Sequence, residues 1–555
     1  MQKKWWQSAI AYQIYPKSFL DTNGDGIGDL GGILQKLDYI ASLGVNVIWL
    51  SPVFQSPMVD NGYDISDYRH IDPMFGTDEE MEYLIEQADK RGIKILMDLV
   101  VNHTSDQHPW FQEALRDPHS KYADYYLFRE TDDGNPPNNL RNYFSTPAWT
   151  RVPHTNRWYF HAFAPEQPDL NWDNPAVRKE IADMVNWWLD KGLGGFRIDA
   201  ISNIKKSPLA LSRQTFEADA PDGTVLAKDW VANQPGIEVF LEELAARTFR
   251  PHNSMTVAEA DVPPELLEAF IGPEGAFSMT FDFTYADIDI RDIPPYAAPT
   301  FTVADLRAAI FHSQLHAQKI GGWSAPFLEN HDQPRSLDKY IPQNDIGYAS
   351  ATMLATLLLT LKGTPFIYQG EELGMTNCPM TLDEYDDLSV YAQNEQGLKW
   401  GFSAEWMLAY FNRRSRDNAR TPFQWNSGPN AGFTTGKPWL KVNPNYTKIN
   451  AKQQIDDPAS VLNFYKRLLA LRRGSTVSDI LTYGNFEPLD CIGNIIAYRR
   501  TYENHSVLIL LNFGGKPVDF KLPQQKELLV NFDSLEWHDG LVTLMPYQAA
   551  LLDEA

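Results

Sequence analysis

Short apolar runs alternate along this chain with stretches in which apolar positions recur every three or four residues. Eight runs have strand character. They are AYQIYP (11–16), VNVIWL (45–50), IKILMDLV (93–100), GFRIDAI (195–201), MTVAEA (255–260), MTFDFT (279–284), APFLEN (325–330) and TPFIYQG (364–370). Between them lie amphipathic helical patterns, clearest in DNPAVRKEIADMVNWWLDKG. There Asn174 can cap, Pro175 suits the first helical position and Gly192 can end the helix. Val177, Ile181, Met184, Val185 and Trp188 then share one face. Such alternation predicts a parallel sheet covered by helices, and eight units predict closure into a (β/α)8 TIM barrel.

Two stretches break the rhythm. Residues 104–168 separate the third strand from the next helix and include RETDDGNPPNNLRNYFSTPAW, too rich in Pro, Asn and Gly for a regular core. They predict an inserted subdomain. A second insertion is expected near 374–436, within a barrel otherwise made of residues 1–103 and 169–475. From 476 to 555 the pattern turns all-β, through NIIAYRRTY, SVLILLNF, KELLVNF and GLVTLMPYQAALL, which predicts a C-terminal β-sandwich.

Composition narrows the partners. The net charge of −24 over 555 residues disfavours phosphate backbones and anionic lipid, so neither nucleic acid nor membrane is an expected partner. No apolar run reaches about 18 residues, and the opening MQKKWWQSAIAYQIYPKSF does not read as a signal peptide. The two cysteines, Cys378 and Cys491, lie far apart without metal-ligand spacing, which fits a reducing, cytoplasmic setting. Composition leaves the oligomeric state open. Aromatic residues make up 13% of the chain, enough for large cores or for flat rings lining a ligand site.

In a parallel barrel, chemistry gathers at the C-terminal ends of the strands. Asp199, Glu259 and Asp332 stand at or just past three such ends, with Arg197, His103 and His331 nearby. Each acid alone could simply cap a helix. Arg197, two residues from Asp199 on the same face, would repel a metal ion but favours an ionised, oriented carboxylate. An ionised carboxylate facing a second carboxyl group suits glycosyl transfer: one attacks the anomeric carbon and the other protonates the departing oxygen.

The segments DLVVNH (98–103), GFRIDAI (195–201), VAEA (257–260) and FLENHD (327–332) resemble, in order and spacing, the four motifs of the α-amylase superfamily, glycoside hydrolase family thirteen. QPDLNW (167–172), GTPFIYQGEELGMTN (363–377), SRDNARTPFQW (415–425) and PWLKVNPNY (438–446) resemble its oligo-1,6-glucosidase and α-glucosidase branch. The resemblance implies Asp199 as nucleophile, Glu259 as general acid/base and Asp332 as stabiliser of the transition state. Asp98, His103, Gln167, Arg197 and His331 would surround the first sugar. In NGYD (61–64), Tyr63 would stack on that sugar and Asp64 would bind its outer hydroxyls. Arg416 would be the charged partner closing the pocket, with Arg413, Arg414 and Arg420 as alternatives. A closed pocket implies removal of one glucose at a time from a small oligosaccharide.

DTNGDGIGD (21–29) places side-chain oxygens at positions 1, 3, 5 and 9, with Gly at 6 and a backbone carbonyl at 7. This is calcium-loop spacing without the distal Glu of an EF-hand. Relatives bind calcium there, so Asp21, Asn23, Asp25, Ile27 and Asp29 are the expected ligands of a structural ion; no organic cofactor is expected. Linkage preference is less determined. After the nucleophile, relatives carry Val with α-1,6 and Thr with α-1,4 specificity, whereas this chain has Ala200. Asp261, expected to line the leaving-group side, also departs from the usual residues. The branch motifs favour short α-1,6-linked substrates such as isomaltose, with α-1,4 cleavage and transglycosylation also open. The rivals are sucrose isomerisation, trehalose-6-phosphate hydrolysis and a non-catalytic interaction module. HDQPRSLDKY lacks the arginine-rich segment that sucrose isomerases carry.

Overall fold

The protein is described from a computed structural model covering residues 3–290, 296 and 301–554. Eight parallel strands form its central sheet: β1 Ala11–Ile14, β2 Val47–Leu50, β3 Lys94–Val100, β4 Gly195–Asp199, β5 Met255–Ala258, β6 Met279–Phe281, β7 Ser324–Ala325 and β8 Phe366–Tyr368. Neighbours follow in order from β1 to β7, and β8 pairs with β1. Two hydrogen bonds close the ring between β7 and β8, from Thr364 N to Ser324 O (3.0 Å) and from Phe366 N to Pro326 O (2.9 Å). Every strand run read from the sequence is present. APFLEN pairs only at its start, because Pro326 has no N–H to continue the ladder.

The covering helices are α1 Leu30–Leu43, α2 Asp78–Asp89, α3 Pro175–Leu189, α4 Ile237–Arg247, α5 Pro264–Ile271, α6 Val303–Lys319, α7 Tyr348–Thr360 and α8 Val461–Gly474. In α3 the Asn174 side chain accepts from Ala176 N and the predicted apolar face is buried. Along β4, Phe196 and Ile198 pack outward with the helices. Gly195, Arg197 and Asp199 alternate inward. The lower barrel interior is filled by Trp49, Leu96, Val257, Phe281 and Phe366. The charged residues of β4 therefore stand on top of an apolar plug, at the open end.

Three pieces build up that end. Between β3 and α3, strands Phe128–Glu130, Trp149–Arg151 and Arg157–Phe160 form a small antiparallel sheet. A segment following β4 joins it: Val225–Leu226 pairs with Leu140–Arg141, and Ala210, Val225 and Val231 share its core with Trp149 and Phe160. The irregular composition of residues 207–224 carried no pattern that foretold this. After β8, the helices Leu388–Lys399 and Ala404–Arg414 form a hairpin over the barrel.

The C-terminal region holds a five-stranded and a three-stranded antiparallel sheet. One fully buried arginine, Arg500, joins it to the barrel, and a second, Arg472 of α8, braces the same stretch from within the barrel. Arg500 donates to Thr360 O (2.6 Å) and Gly484 O (2.9 Å), and Arg472 donates to Leu359 O (2.6 Å) and Gly363 O (2.7 Å). Thr360 and Leu359 lie in the last turn of α7, where carbonyls lack helical partners and carry partial negative charge. With no carboxylate beside them, burial lowers Arg500 to about 9 and Arg472 to about 10. Among the described residues, no helix is long and apolar enough to cross a membrane. Arg500→Met, which keeps the volume but strands these carbonyls, is expected to lower unfolding free energy by about 3 kcal/mol in urea denaturation.

Candidate active site

Arg197 lies at the centre of the barrel mouth and is fully buried. Parallel register sets it beside Asp98 of β3 and Val257 of β5. One terminal nitrogen meets Asp98 Oδ1 (2.7 Å) and Asp199 Oδ1 (2.8 Å), and the other meets Glu259 Oε1 (2.5 Å). Trp49 and Tyr63 rings flank the guanidinium, centred 5.3 and 5.6 Å from Cζ. Asp98 also accepts from Trp49 Nε1 (3.2 Å) and Tyr63 Oη (2.9 Å). Trp49 is thus core, as its apolar run implied, and it also orients an acid.

The turn after Asp199 is strained. Ala200 adopts a left-handed conformation (φ 41°, ψ 33°), costly for a residue with a Cβ. This aims its N–H at Glu259 Oε2 (3.0 Å). Arg197 and Asp98 are sealed from solvent, whereas the Glu259 and Asp332 side chains keep 22% and 27% of their surface exposed. The accessible acids are those at the rim.

Asp332 belongs to a second charge cluster. It meets His331 Nε2 (2.8 Å), Arg420 (2.7 Å) and Arg416 (3.5 Å). Gln13 Nε2 lies 2.8 Å from His331 Nδ1, so Nδ1 accepts and Nε2 carries the proton directed toward Asp332. The Tyr63 hydroxyl lies 2.5 Å from His331 Nε2, and the two rings are nearly parallel (6°), meeting edge to edge. His103 Nε2 donates to Tyr63 O (3.0 Å), and burial lowers His103 to about 4, keeping it neutral. Beside His103, Gln167 Nε2 donates to Asp60 (3.2 Å). Buried Lys206 supports this side through Asp169 (2.7 Å) and Asn102 (2.7 Å).

Arg416 closes the cluster, but not with the expected partner. It meets Asp60 (3.1 Å) and grips Asp387 through two bonds (2.6 and 2.9 Å). Asp64 is fully buried and bound to its own loop, accepting from Ser56 Oγ (3.0 Å), Val59 N (2.9 Å) and Asp60 N (3.0 Å). The expectation for Asp64 is therefore corrected: its oxygens satisfy the turn, and Asp60, four residues earlier, is the acid presented to Arg416. Two acids flank NGY, and nothing local says which one the turn consumes. Asp387 gave no sequence signal beyond that of a helix cap, a role it also fills by accepting from Ser389 N. Asp261 is exposed and pairs with Lys228 (3.4 Å).

Charge balance sets the protonation of these groups. Burial raises Asp199 to about 7, opposed by Arg197 and reinforced by Asp98 and Asp332. Burial likewise raises Glu259 to about 7 against the pull of Arg197. Burial also disfavours ionised Asp332, but His331, Arg420 and Arg416 outweigh it and hold that carboxyl well below the usual range. Asp98, Asp199 and Glu259 share one guanidinium, so near neutrality the group retains a proton while Asp332 stays ionised. Beyond Asp332 and Arg416 a cavity of about 230 Å3 opens between Tyr143 and Phe144 of the inserted subdomain and Ser389 and Gln393 of the helical hairpin.

The 21–29 loop lies apart from this cluster. Asp21 accepts from Asn23 N (2.9 Å), Gly24 N (2.7 Å), Gly26 N (2.8 Å) and the Thr434 hydroxyl. Asn23 accepts from Asp25 N and Asp25 from Ile27 N (both 2.8 Å), while Asp29 caps α1 through Gly32 N (2.7 Å). Among the described residues no group of three His, Cys, Asp or Glu side chains is gathered as if to hold a metal ion.

Residues 13–484 match the α-amylase catalytic domain, and residues 495–550 match the C-terminal domain of the α-amylase SusG. The chain belongs to the α-amylase family of glycoside hydrolases. The oligo-1,6-glucosidase of Halalkalibacterium halodurans is 41% identical over 562 residues, with 99% of each chain covered. The trehalose-6-phosphate hydrolase of Bacillus subtilis is 39% identical, over 99% of this chain and 98% of that one. The crystal structure of the isomaltulose synthase from Klebsiella sp. LX3 superposes with a TM-score of 0.93 at 37% identity, both chains covered in full. This α-amylase-family barrel is therefore shared by enzymes of three different names.

Hydrolysis by this glycoside hydrolase is expected to be bell-shaped in pH around neutrality. Asp98→Asn removes a negative neighbour of Asp199, so Asp199 ionises at lower pH and the acidic limb of kcat/KM moves down. A limb that stays in place would show that the Asp98 charge does not act on the reacting acid.

Proposed function

We propose that the protein is a retaining, exo-acting α-glucosidase that releases glucose from the non-reducing end of short α-gluco-oligosaccharides, with α-1,6 links preferred. One observation carries this reading: Asp199 and Glu259 bind the two terminal nitrogens of the same buried guanidinium. That arrangement favours the close carboxyl spacing of about 5–5.5 Å used for a covalent intermediate over the wider spacing that admits a water. In the first step Asp199 bonds to the anomeric carbon as the bond to the aglycone oxygen breaks, and Glu259 gives that oxygen its proton. In the second step Glu259 takes a proton from water, whose oxygen replaces Asp199 on the sugar. Configuration is retained. Asp332, held ionised, faces the positive charge that develops on the ring.

The Arg416–Asp60–Asp387 cluster supports exo action, because it closes one side of the site with charges that bind hydroxyls. The relatives named oligo-1,6-glucosidase support the α-1,6 preference, and small Ala200 leaves room beside the scissile bond for other links. Transfer to a sugar instead of water follows the same second step. A phosphorylated substrate is disfavoured, because Arg414 is committed to Asp287, Asp289 and Gln333, and Lys228 to Asp261.

Glucose release from isomaltose is expected to exceed release from maltose. Asp199→Ala should abolish both by at least about 10,000-fold while circular dichroism remains that of the folded protein. A folded variant that kept hydrolysing either sugar would rule out Asp199 as nucleophile.

We further infer a structural calcium ion in the 21–29 loop. Support comes from the oxygen-only donors of Asp21, Asn23, Asp25, Asp29 and the Ile27 carbonyl at calcium-loop spacing. Thermal unfolding should occur at lower temperature in chelator than in millimolar calcium. An identical Tm in both would remove the ion from this account.

A further inference from the structure

A groove of about 250 Å3 lies on the flank of the barrel, between α3 and the loop that opens the inserted subdomain. Its floor is apolar, from Tyr68, Leu170, Ile181 and Met184, all buried. Trp110 and His108 form one wall, with ring centroids 4.5 Å apart, and Trp110 is braced from behind by Tyr125 at 5.2 Å. The indole is only partly buried. A flat aromatic face beside an apolar floor suits the carbon face of a ring that is polar at its edges.

The polar groups around this floor are uncommitted. His108 is more than nine-tenths buried, and its Nδ1 accepts from Trp110 N (3.2 Å). Burial lowers it to about 4, so the ring is neutral with its proton on Nε2. That N–H has no acceptor among the described residues, and neither has the Trp110 indole N–H. At the rim, the Arg69 guanidinium and the Glu180 carboxylate form no ion pair or hydrogen bond among the described residues. Among the described residues the Asp67 carboxylate accepts one hydrogen bond, from Arg69 N (2.8 Å). The groove thus offers donors in His108, Trp110 and Arg69, and acceptors in Asp67 and Glu180.

That mixture selects the chemistry of a ligand. An anion would face two carboxylates on a chain already at −24, and a cation would face Arg69. A neutral polyhydroxylated ring meets both kinds of group and uses the apolar floor. The groove lies below the ~300–1,000 Å3 of sites for drug-sized ligands, which matches a single sugar ring. We propose that this groove is a second, non-catalytic saccharide site that holds one glucosyl unit of a neutral α-gluco-oligosaccharide against Trp110. Tyr68 separates it from the catalytic mouth: its ring lines the groove, and its hydroxyl donates to His103 O (3.0 Å). The groove can therefore hold a saccharide near the enzyme without competing for the reacting carboxylates. The proposal rests on the proposed function only for the choice of probe.

The test is calorimetric titration of isomaltotriose into full-length Asp199→Asn protein, alone and combined with Trp110→Ala, Arg69→Ala or Glu180→Gln. Two classes of site are expected, one of which weakens by about tenfold or more in the groove variants. In the wild-type background the same variants should leave kcat/KM on isomaltose within about twofold. The variants at exposed Arg69 and half-buried Glu180, Arg69→Ala and Glu180→Gln, decide the matter if Trp110→Ala fails to fold. A single class of site, or a second class untouched by every groove variant, would overturn the proposal. Loss of only the class that the groove variants leave intact, with the other retained, would instead count against the function proposed above.

Discussion

One buried guanidinium organises the mouth of this barrel. Arg197 stands on an apolar plug that includes Trp49, Leu96 and Val257, and three carboxylates converge on its two terminal nitrogens. A cation this deep is tolerable only because its attraction to Asp98, Asp199 and Glu259 offsets the loss of hydration. The dependence runs both ways, since without Arg197 the acids would repel one another and take up protons. Asp98 has its second oxygen held by Trp49 and Tyr63, so it anchors the group. Asp199 and Glu259 stand nearer the opening, with 10% and 22% of their side-chain surface exposed against none for Asp98. With one positive charge against three acids, the group holds a proton near neutrality.

Asp332 lives under the opposite balance. Two arginines and a histidine surround it, and it remains ionised although it stands within a few residues of the same mouth. Acids of one type thus acquire different protonation from the number of cations each can reach. The second cluster also ties the architecture together. Asp60 comes from the loop after β2, Asp332 from the end of β7, and Asp387, Arg416 and Arg420 from the excursion after β8. The helical hairpin is therefore part of the pocket wall. Arg416, just past its second helix, grips Asp387 at the cap of its first.

Rigidity farther away uses the same residue type in another manner. Arg472 and Arg500 meet no carboxylate and instead satisfy the carbonyls at the end of α7 and the segment leading to β8. Arg500 thereby fastens the C-terminal sheets to the end of α7, while Arg472 of α8 braces the stretch leading to β8 from within the barrel. Arginine suits all three settings because its planar fork can meet two or three oxygens in fixed directions.

Periodicity along the chain was sufficient to predict the eight strands, the face of α3 and the presence of acids at strand ends, because a barrel turns alternation directly into inside and outside. The motifs around Asp199, Glu259 and Asp332 were legible for the same reason: each lies on or beside a strand whose position is set by its neighbours. Loops carry no such period. Only the folded chain decided that Asp64 serves its own turn while Asp60 meets Arg416, that Asp387 is a pocket acid as well as a helix cap, and that residues 207–231 complete the inserted subdomain. In each case the partner is remote in sequence, and a hydrogen bond or ion pair between remote residues exists only once the strands and helices beneath them have packed.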